Sequence, residues 1–345
     1  MDNLIKRSFQ DYSFSEWDNL LCFFDGTINY TSWFINYIEI LNTSSDIENL
    51  TFTLFEDNKI IAIIPLYVEK IDGKNQISMG QEPIYAPIFN VNLSHDSLSQ
   101  YYKYIVTEIE RFALQYKCTL ARFHYSPLLY KKDNNNYFIE FEYKEIILYP
   151  EWYIFKSNFS YIINLNMKRE LLLKQIRKGH RANISSTKKF TNLLILDKDS
   201  YKQELFNRYL ELYYQVKGVG ARSIEAFKLD SVAIKGGFEA IMLCEYKGKL
   251  IGAIAIHLFN KKAKYNSSAQ LYHVDKGIYP NHFLLISAIN YLKEKKVVLF
   301  EIGEQVSPSE MYQLSKKEKN LSHFKAGWGG DLKPYMKAQK EFYYD

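Results

Sequence analysis

The sequence has few of the residues from which disulfide frameworks and metal centres are built. Only 3 of its 345 residues are cysteines and 7 are histidines. Cys22, Cys118 and Cys244 are far apart, have apolar neighbours and form no C-x-x-C motif, so we expect three buried, reduced thiols. The histidines make no H-x-x-x-H pair, which argues against a dedicated metal site.

Long apolar runs are also missing. No run approaches the ~20 residues that cross a bilayer as a helix, and residues 1–6 do not lead into a signal-type apolar region. We therefore expect no transmembrane segment and a cytoplasmic location. A formal net charge of +5 is small for this length. It is compatible with a phosphorylated partner and does not require nucleic acid.

The overall composition is that of a folded protein, with 47% hydrophobic and 24% charged residues. The chain is long enough to form two domains. In the first half, apolar periodicity predicts helices at 15–24, 31–41 and 101–116. Alternating or β-rich runs predict a hairpin of strands 51–55 and 60–68, a strand at 118–125 and a strand pair at 137–148.

The second half repeats this order of elements. A helix at 201–217 stops at Gly218, a hairpin joins 241–245 to 249–259, and a helix at 281–295 leads into a strand at 297–302. Residues 249–254 (KLIGAI) can be laid on residues 59–64 (KIIAII) position by position. The sequence therefore predicts an α/β protein made of two copies of one unit, with domains at 1–150 and 151–345.

Three of the glycines fall together in the segment 322–330, which also contains Lys325. Glycine lets another group approach the backbone closely, and a lysine among glycines offers a cation to a phosphate, a carboxylate or a developing oxyanion. The alternative is a bulged strand with a surface lysine.

A basic segment precedes the second hairpin, and residues 174–189 contain no Asp or Glu. If one helix runs from 166 to 189, it carries a cationic face for binding an anion. That face consists of Lys174, Arg177, Lys178, Arg181 and Lys188. The alternative is a solvated surface helix.

Candidate proton acceptors follow the last predicted strand. Glu301 and Glu304 lie where that strand opens onto a loop and could take a proton from an amine; alternatively Glu301 pairs with a lysine and Glu304 is exposed. Tyr272 and His273 are further proton-handling candidates or structural residues. The segment 280–282 begins a helix whose free N–H groups could receive a carbonyl or a phosphate.

Taken together, the basic segment 174–184, the second hairpin, and the segments 280–282, 300–303 and 324–330 resemble the FemABX and GNAT-like acyltransferases. The resemblance implies two tandem GNAT-like domains that transfer an activated acyl group to an amine, with no permanently bound cofactor. In that reaction we expect Lys325 or nearby backbone N–H groups to stabilise the oxyanion, with Lys325 in a cleft between the domains. Within the same segments the resemblance adds further substrate-binding residues, namely Asn183, Asn281, His282, Gly327 and Trp328.

The resemblance leaves the donor and the acceptor open. No long helical arm of the coiled-coil type is visible, which favours acyl-CoA as co-substrate over aminoacyl-tRNA, although the glycine-rich Q/R-x-x-G-x-G/A signature of standard GNAT enzymes is absent. The acceptor would be an amino sugar, a sugar nucleotide or a cell-envelope precursor. A non-catalytic module that binds a phosphorylated glycan precursor or nucleic acid is the alternative from another class. The oligomeric state is not indicated.

Overall fold

The computed structural model describes residues 4–24, 26–41, 47–80, 82–90, 93–126, 128, 132–133, 136–137, 153–271, 274–305 and 314–344. The chain forms two compact units. Unit 1 contains Met1–Asn158 together with Pro334–Asp345, and unit 2 contains Phe159–Lys333. The sequence predicted a second domain that contains the whole segment 151–345. The C-terminal segment belongs to unit 1 instead, because its strand pairs with a strand of that unit.

The described helices are α1 (Phe14–Leu21), α2 (Ser32–Leu41), α3 (His95–Gln115), α4 (Arg169–Gln175), α5 (Lys178–Lys188), α6 (Gln203–Lys217), α7 (Ile224–Gly236), α8 (Pro280–Glu294) and α9 (Lys316–Ala326). Two 3₁₀ turns, Phe9–Asp11 and Ile28–Tyr30, precede α1 and α2.

The described strands are β1 (Leu4–Ser8), β2 (Ile47–Asn49), β3 (Phe52–Glu56), β4 (Lys59–Ile64), β5 (Tyr67–Ile71), β6 (Lys74–Ile77), β7 (Ile84–Tyr85), β8 (Ile88–Phe89), β9 (Cys118–His124), β10 (Lys132–Asp133), β11 (Asn136–Tyr137), β12 (Tyr153–Asn164), β13 (Asn192–Leu196), β14 (Glu239–Tyr246), β15 (Lys249–Phe259), β16 (Lys262–Gln270), β17 (Leu299–Gln305) and β18 (Asp331–Glu341).

In unit 1, one sheet has the strand order β1-β3-β4-β8. A second set of strands runs in the order β9-β6-β5-β2, with β7 and the end of β18 also paired to β9. β6 and β9 are parallel, and α3 lies between them in the chain and packs against β9. This strand–helix–strand connection is the first copy of the predicted unit.

In unit 2, the sheet order is β13-β14-β15-β16-β17-β12. Neighbouring strands are antiparallel except β16 and β17, which are parallel and connected through α8. One face of the sheet packs against α8 through residues such as Leu284, Ile254 and Phe300. The opposite face packs against α6 and α7, for example at Tyr209 and Phe227. Unit 2 is thus a sheet between two helical layers.

The two hairpins that matched in sequence also match in register. Lys59 opposes Glu56 in unit 1, and Lys249 opposes Tyr246 in unit 2. Each turn has two residues with positive φ, at 49° and 61° for Asp57 and Asn58 and at 50° and 76° for Lys247 and Gly248, which is the geometry of a type I′ turn. Each hairpin also shifts register at the same point, so that Ala62 and Gly252 occupy equivalent positions. In these two hairpins, the predicted internal repeat therefore holds residue by residue.

Gly252 lets α8 approach the sheet of unit 2. A Cβ atom built at Gly252 would lie 2.6 Å from Cβ of Pro280, the first residue of α8, and 3.2 Å from Cδ1 of Leu284. Real Cβ atoms do not approach other carbons so closely, and both contacts involve a helix that is buried against the sheet. The close approach therefore requires glycine at this position of β15.

Some sequence predictions differ from the structure. The single helix expected from 166 to 189 is two helices, because Ile176 and Arg177 are extended and the Arg177 N–H donates to the Gly327 carbonyl at 2.8 Å. Cys22 is exposed after the end of α1, whereas Cys118 and Cys244 are buried as expected. Most of the predicted strand pair at 137–148 lies outside the described residues. No helix in the described part of the chain has the length and hydropathy needed to span a membrane.

We expect Gly252→Ala to destabilise unit 2, since the added methyl group must displace Pro280 or Leu284. Overpacking of this kind lowers the free energy of unfolding by about 1–3 kcal/mol, which urea denaturation followed by circular dichroism would measure. Gly179→Ala is the control, because a Cβ at this position in α5 meets nothing within 4 Å. It should leave stability unchanged or raise it by up to ~1 kcal/mol. Equal stability of the two variants would contradict the proposed role of Gly252.

Candidate active site

The glycine-rich segment is the end of a helix rather than a bulged strand. Residues 322–326 form the last part of α9, and Gly327 is its C-cap. A Cβ at Gly327 would lie 2.2 Å from Nε2 of His180, and one at Gly330 would lie 2.7 Å from the Ile162 carbonyl oxygen. Gly329 is similarly crowded by Gln175, at 2.6 Å. A group does pass close to this backbone, as the sequence indicated, but it belongs to the protein itself.

Lys325 lies on the side of α9 that faces β17. Its Nζ donates a hydrogen bond to the Glu304 carbonyl oxygen at 2.9 Å, and a Cβ at Gly303 would approach Nζ to 3.0 Å. Gly303 has a φ of 111°, which side chains rarely adopt, so this residue both permits the bend in β17 and leaves room for the ammonium. Burial lowers the pKa of Lys325, while the nearby Glu304 and Glu301 carboxylates oppose that shift.

The two candidate carboxylates have different surroundings because β17 contains a bulge. Ile162 pairs with Glu301 and Tyr161 pairs with Gly303, so Ile302 is an extra residue in the strand. Glu301 is only 4% exposed and its Oε1 accepts a hydrogen bond from the Ser160 hydroxyl at 2.9 Å. Glu304 is exposed. Glu301 is therefore held in place within the sheet, beside the lysine that the sequence singled out.

Glu301 is also the last member of a row of ionisable side chains that crosses four strands. Pairing places Glu239 opposite His257, His257 opposite Lys264, and Lys264 opposite Glu301. Directly opposed residues project from the same face of a sheet, and here it is the face that also carries Ile241 and Ala255 beneath α6 and α7. We call Glu239, His257, Lys264 and Glu301 the ionisable row.

The far end of this row is buried. Glu239 is 1% exposed, and neither of its carboxyl oxygens has a hydrogen-bond partner among the residues that the structure describes. Burial raises the pKa of Glu239 well above its ordinary value and lowers the pKa of His257 to about 3. His257 is therefore neutral at pH 7, and burial disfavours the ionised form of Glu239 as well, because an isolated buried charge is costly. Beside them, burial raises the pKa of Asp230 to about 6 even though Arg222 binds its carboxyl group.

A pocket of about 540 Å³ lies at the start of α8. We call it the α8 pocket. It is lined by the second half of β16 (Tyr265, Ser268, Gln270), by the first residues of α8 with the preceding loop (Asp275, Lys276, Tyr279, Asn281, His282), and by α9 (Lys317, Leu321, Phe324). The predicted residues Asn281 and His282 thus lie in one pocket, and Lys325 is not among the residues that line it. Asn281 Oδ1 is buried and has no partner in the described part of the chain.

His282 is the centre of an aromatic cluster at this pocket. Its Nε2 lies 3.2 Å from Nδ1 of His180 and 3.4 Å from Nδ2 of Asn183. His180 Nε2 lies 2.9 Å from the Phe324 carbonyl oxygen, and the rings of Phe324 and Trp328 pack against both histidines. Trp328, at 1% exposure, is a core residue rather than a surface for substrate.

The basic segment divides into structural and exposed residues. Arg181 donates to the carbonyl oxygens of Leu173, Lys174 and Ile176, so it caps the end of α4. Arg177 bonds to the ring and the carbonyl oxygen of His323. Lys174 and Lys178 are exposed.

Sequence reasoning missed His180 as a site residue, and Tyr272 and His273 lie outside the described residues. His180 follows the buried residues Leu172 and Ile176 at intervals of four. If this spacing is followed across the break between α4 and α5, it predicts that His180 lies on the buried face.

Comparison with solved structures identifies the fold. FemX superposes with a TM-score of 0.68 at 11% identity over 96% of both chains. The chain has a FemX-like fold. The C-terminal domain of a lysylphosphatidylglycerol synthetase from Agrobacterium fabrum matches with a TM-score of 0.57 at 12% identity, covering 95% of this chain and 92% of that one. A tandem GNAT protein from the clavulanic acid biosynthesis pathway matches with 0.52 at 9% identity, covering 99% and 100%. No protein-family model and no curated protein matches the sequence.

These likenesses confirm the predicted fold class of two tandem GNAT-like domains. The sequence resemblance implied the same fold.

We expect His257 to make stability depend on pH. Because its pKa is lowered to about 3 in the folded state, the unfolded chain binds more protons there below pH ~6.5, and the contribution of His257 to stability is lost as pH falls. Relative to His257→Gln, the wild type should lose up to ~1.4 kcal/mol of unfolding free energy per pH unit between pH ~6 and ~4.

Urea denaturation at a series of pH values measures this difference. The comparison at pH 7.5, where the wild-type imidazole is neutral, gives the packing cost of the substitution alone. Parallel pH dependences for the two proteins would show that His257 does not remain neutral on folding.

Proposed function

We propose that the protein is an N-acyltransferase that moves an acyl group from an activated donor to the amine of an amino sugar, a sugar nucleotide or a cell-envelope precursor. The observation that carries this proposal is the divergence of the parallel strands β16 and β17. Their register covers Lys262–Lys264 and Leu299–Glu301, and the remainder of β16 lines the α8 pocket.

The divergence creates a strand edge suited to an extended ligand. From Tyr265 to Gln270, β16 pairs with β15 on one side, and its other edge is not paired with β17 among the described residues. An open edge presents backbone N–H and C=O groups at regular intervals, and a ligand with amide groups can pair with them as an added strand would. The pantetheine chain of CoA carries two such amides, which supports acyl-CoA as the donor.

The beginning of α8 supplies positive potential at the same place. The first turn of a helix exposes N–H groups that carry a partial positive charge. Lys276 and Lys317 line the same pocket, and the only carboxylate among its lining residues, Asp275, bonds to Tyr246 and Lys247. This surrounding favours the phosphates of a nucleotide-linked donor.

In the proposed reaction, the amine attacks the activated carbonyl carbon and a tetrahedral oxyanion forms. Lys325 is the cation available to stabilise negative charge next to β17. Glu301, held by Ser160, is a carboxylate beside that cation, and Glu304 follows it in the strand. Lys325 and Glu301 would therefore act near the end of β17, where the strand is bent by its bulge.

Aminoacyl-tRNA is the second candidate donor, and the likeness to FemX favours it. In the sequence, the absence of a long helical arm disfavours tRNA. This chain covers 96% of the FemX chain, so FemX has no large additional arm either. The missing arm therefore does not discriminate between the two donors.

Turnover assays test the proposal. The protein is incubated with acetyl-CoA or longer acyl-CoA donors, or with labelled aminoacyl-tRNA, together with a panel of amino sugars and their nucleotide derivatives. Release of free thiol or of deacylated tRNA is followed with product mass. We expect Lys325→Met to lower kcat at least tenfold, since loss of one oxyanion donor costs on the order of 3 kcal/mol, about a hundredfold.

Lys319→Met is the matched control, because Lys319 is an exposed lysine on the same helix. It should retain wild-type kcat, and thermal unfolding should show that both variants are folded. A wild-type kcat in Lys325→Met would show that the role of Lys325 is structural and not catalytic. Binding of a sugar nucleotide without turnover of any donor would favour the non-catalytic module instead.

The exposed lysines of the basic segment give a separate prediction. Lys174→Glu with Lys178→Glu should weaken binding of a phosphorylated acceptor such as UDP-glucosamine several-fold at ~50 mM salt, and less at ~500 mM, because exposed charges are screened. Isothermal titration at the two salt concentrations measures the effect. Arg177 and Arg181 are left unchanged, since their hydrogen bonds hold α4, α5 and α9 together.

The control for this pair is Lys217→Glu with Lys228→Glu, which changes net charge equally on exposed positions of α6 and α7. Affinities that respond alike in both double variants would show that only overall charge matters, and that Lys174 and Lys178 lie on an ordinary solvated surface.

A further inference from the structure

Two imidazoles and one carbonyl group form a hydrogen-bonded chain that ends in the α8 pocket. The Phe324 carbonyl oxygen lies 2.9 Å from His180 Nε2, and His180 Nδ1 lies 3.2 Å from His282 Nε2. His282 is also a lining residue of the pocket. We call His180 and His282 the histidine pair.

The chemistry of the carbonyl group determines where the protons are. A carbonyl oxygen can only accept, so His180 Nε2 must carry a hydrogen and donate it. If His180 is neutral, its Nδ1 is then an acceptor, and His282 Nε2 must donate. The carboxamide of Asn183, which lies 3.4 Å from the same nitrogen, would present its oxygen there after a rotation that exchanges Nδ2 and Oδ1. The unprotonated nitrogen of His282 is therefore Nδ1.

Both members of the pair are neutral at pH 7. Burial lowers the pKa of His282 to about 4, with His180 adding to the effect, and burial also lowers the pKa of His180. The rings of Tyr279, Phe324 and Trp328 surround His282. The titratable or charged groups nearest the pair are Arg177 and His323 beside His180, and Tyr265, Asp275, Lys276, Tyr279 and Lys317 around the pocket.

We propose that His282 Nδ1 is the proton acceptor of the transfer reaction and that His180 is its positioning residue. This inference rests on the proposed function. As the amine attacks, the new N–C bond forms and the C–S bond of a thioester, or the C–O bond of an aminoacyl ester, breaks. The proton from the amine moves to His282 Nδ1 and from there to the departing thiolate sulfur or alkoxide oxygen. No oxidant or further reactant is needed.

The hydrogen-bonded chain suits this role. When Nδ1 takes a proton, His282 becomes an imidazolium whose Nε2–H already donates to His180, which in turn donates to a carbonyl oxygen. This arrangement fixes the tautomer of His282, so that Nδ1 is the nitrogen that takes the proton. Among the described residues lining the pocket, His282 is the imidazole placed to do this, whereas Glu301 and Glu304 lie elsewhere, at β17.

The first test does not depend on turnover. Two-bond ¹H–¹⁵N correlation spectra of the histidine-labelled protein report the tautomer of each imidazole. We expect His282 to be neutral at pH 7 with its proton on Nε2, and His180 to carry its proton on Nε2 as well. A His282 protonated on Nδ1, or an imidazolium at pH 7, would overturn the inference whatever the enzyme's activity.

The second test uses the donor and acceptor found active with the wild type. We expect His282→Ala to lower kcat ~100-fold or more, since a positioned general base contributes ~10²- to 10⁴-fold. Added imidazole should restore part of the rate, a rescue that a purely structural role would not produce. His180→Asn should lower kcat less, without rescue. Glu294→Gln, an exposed change at the far end of α8, is the control and should keep wild-type kcat.

The outcomes separate the inference from the function on which it rests. Near wild-type kcat in folded His282→Ala would overturn the role of His282 while leaving the transferase intact. A loss of activity that imidazole does not rescue, in a protein with a wild-type melting temperature, would also count against proton transfer. Absence of wild-type turnover with every donor would instead overturn the proposed function, and the catalytic role with it.

Discussion

A parallel strand pair that ends after three residues organises unit 2. Lys262–Lys264 pair with Leu299–Glu301, and beyond them β16 remains paired with β15 while β17 pairs with β12. Strand pairing satisfies backbone polar groups, so strands that separate must leave an edge for water or for a ligand. The α8 pocket lies at that edge, and Glu301 belongs to the last residue pair before the two strands separate. The candidate site therefore follows from where the sheet stops being continuous.

Local features of the fold were readable from the sequence because they depend on neighbouring residues. The helix expected at 281–295 is Pro280–Glu294, and the turns of both hairpins fall between the strands that the sequence predicted. The break between α4 and α5 could not be read in this way. It depends on a hydrogen bond from Arg177 to Gly327, a residue 150 positions later in the chain. A long-range hydrogen bond can satisfy a backbone N–H group that a helical hydrogen bond would otherwise satisfy. The helix that the periodicity predicts is then interrupted at that residue.

The sequence predicted the candidate site only in part, because the site also depends on contacts between residues that are far apart in the chain. Glycines at 327–330 correctly indicated a crowded backbone, but the residue types could not tell a substrate from His180, Gln175 or Ile162. Asn281 and His282 do meet in one pocket, whereas Lys325 lies against β17. The importance of His180 appears only when α5, α8 and α9 are assembled, because its two partners come from the other two helices.

The return of the chain to unit 1 affects the order in which the protein can fold. β18 pairs with β9 from Lys337 to Glu341, and the Tyr344 hydroxyl donates to the carbonyl oxygens of Ala113 and Cys118 at 2.9 Å. On the ribosome, an N-terminal domain normally folds before the next one is made. Here the edge of β9 stays open until all of unit 2 has been synthesised. Unit 1 is the first to be translated and the last to be completed, so a nascent chain carries an uncovered strand edge, of the kind that recruits chaperones or other chains, through the whole synthesis of unit 2.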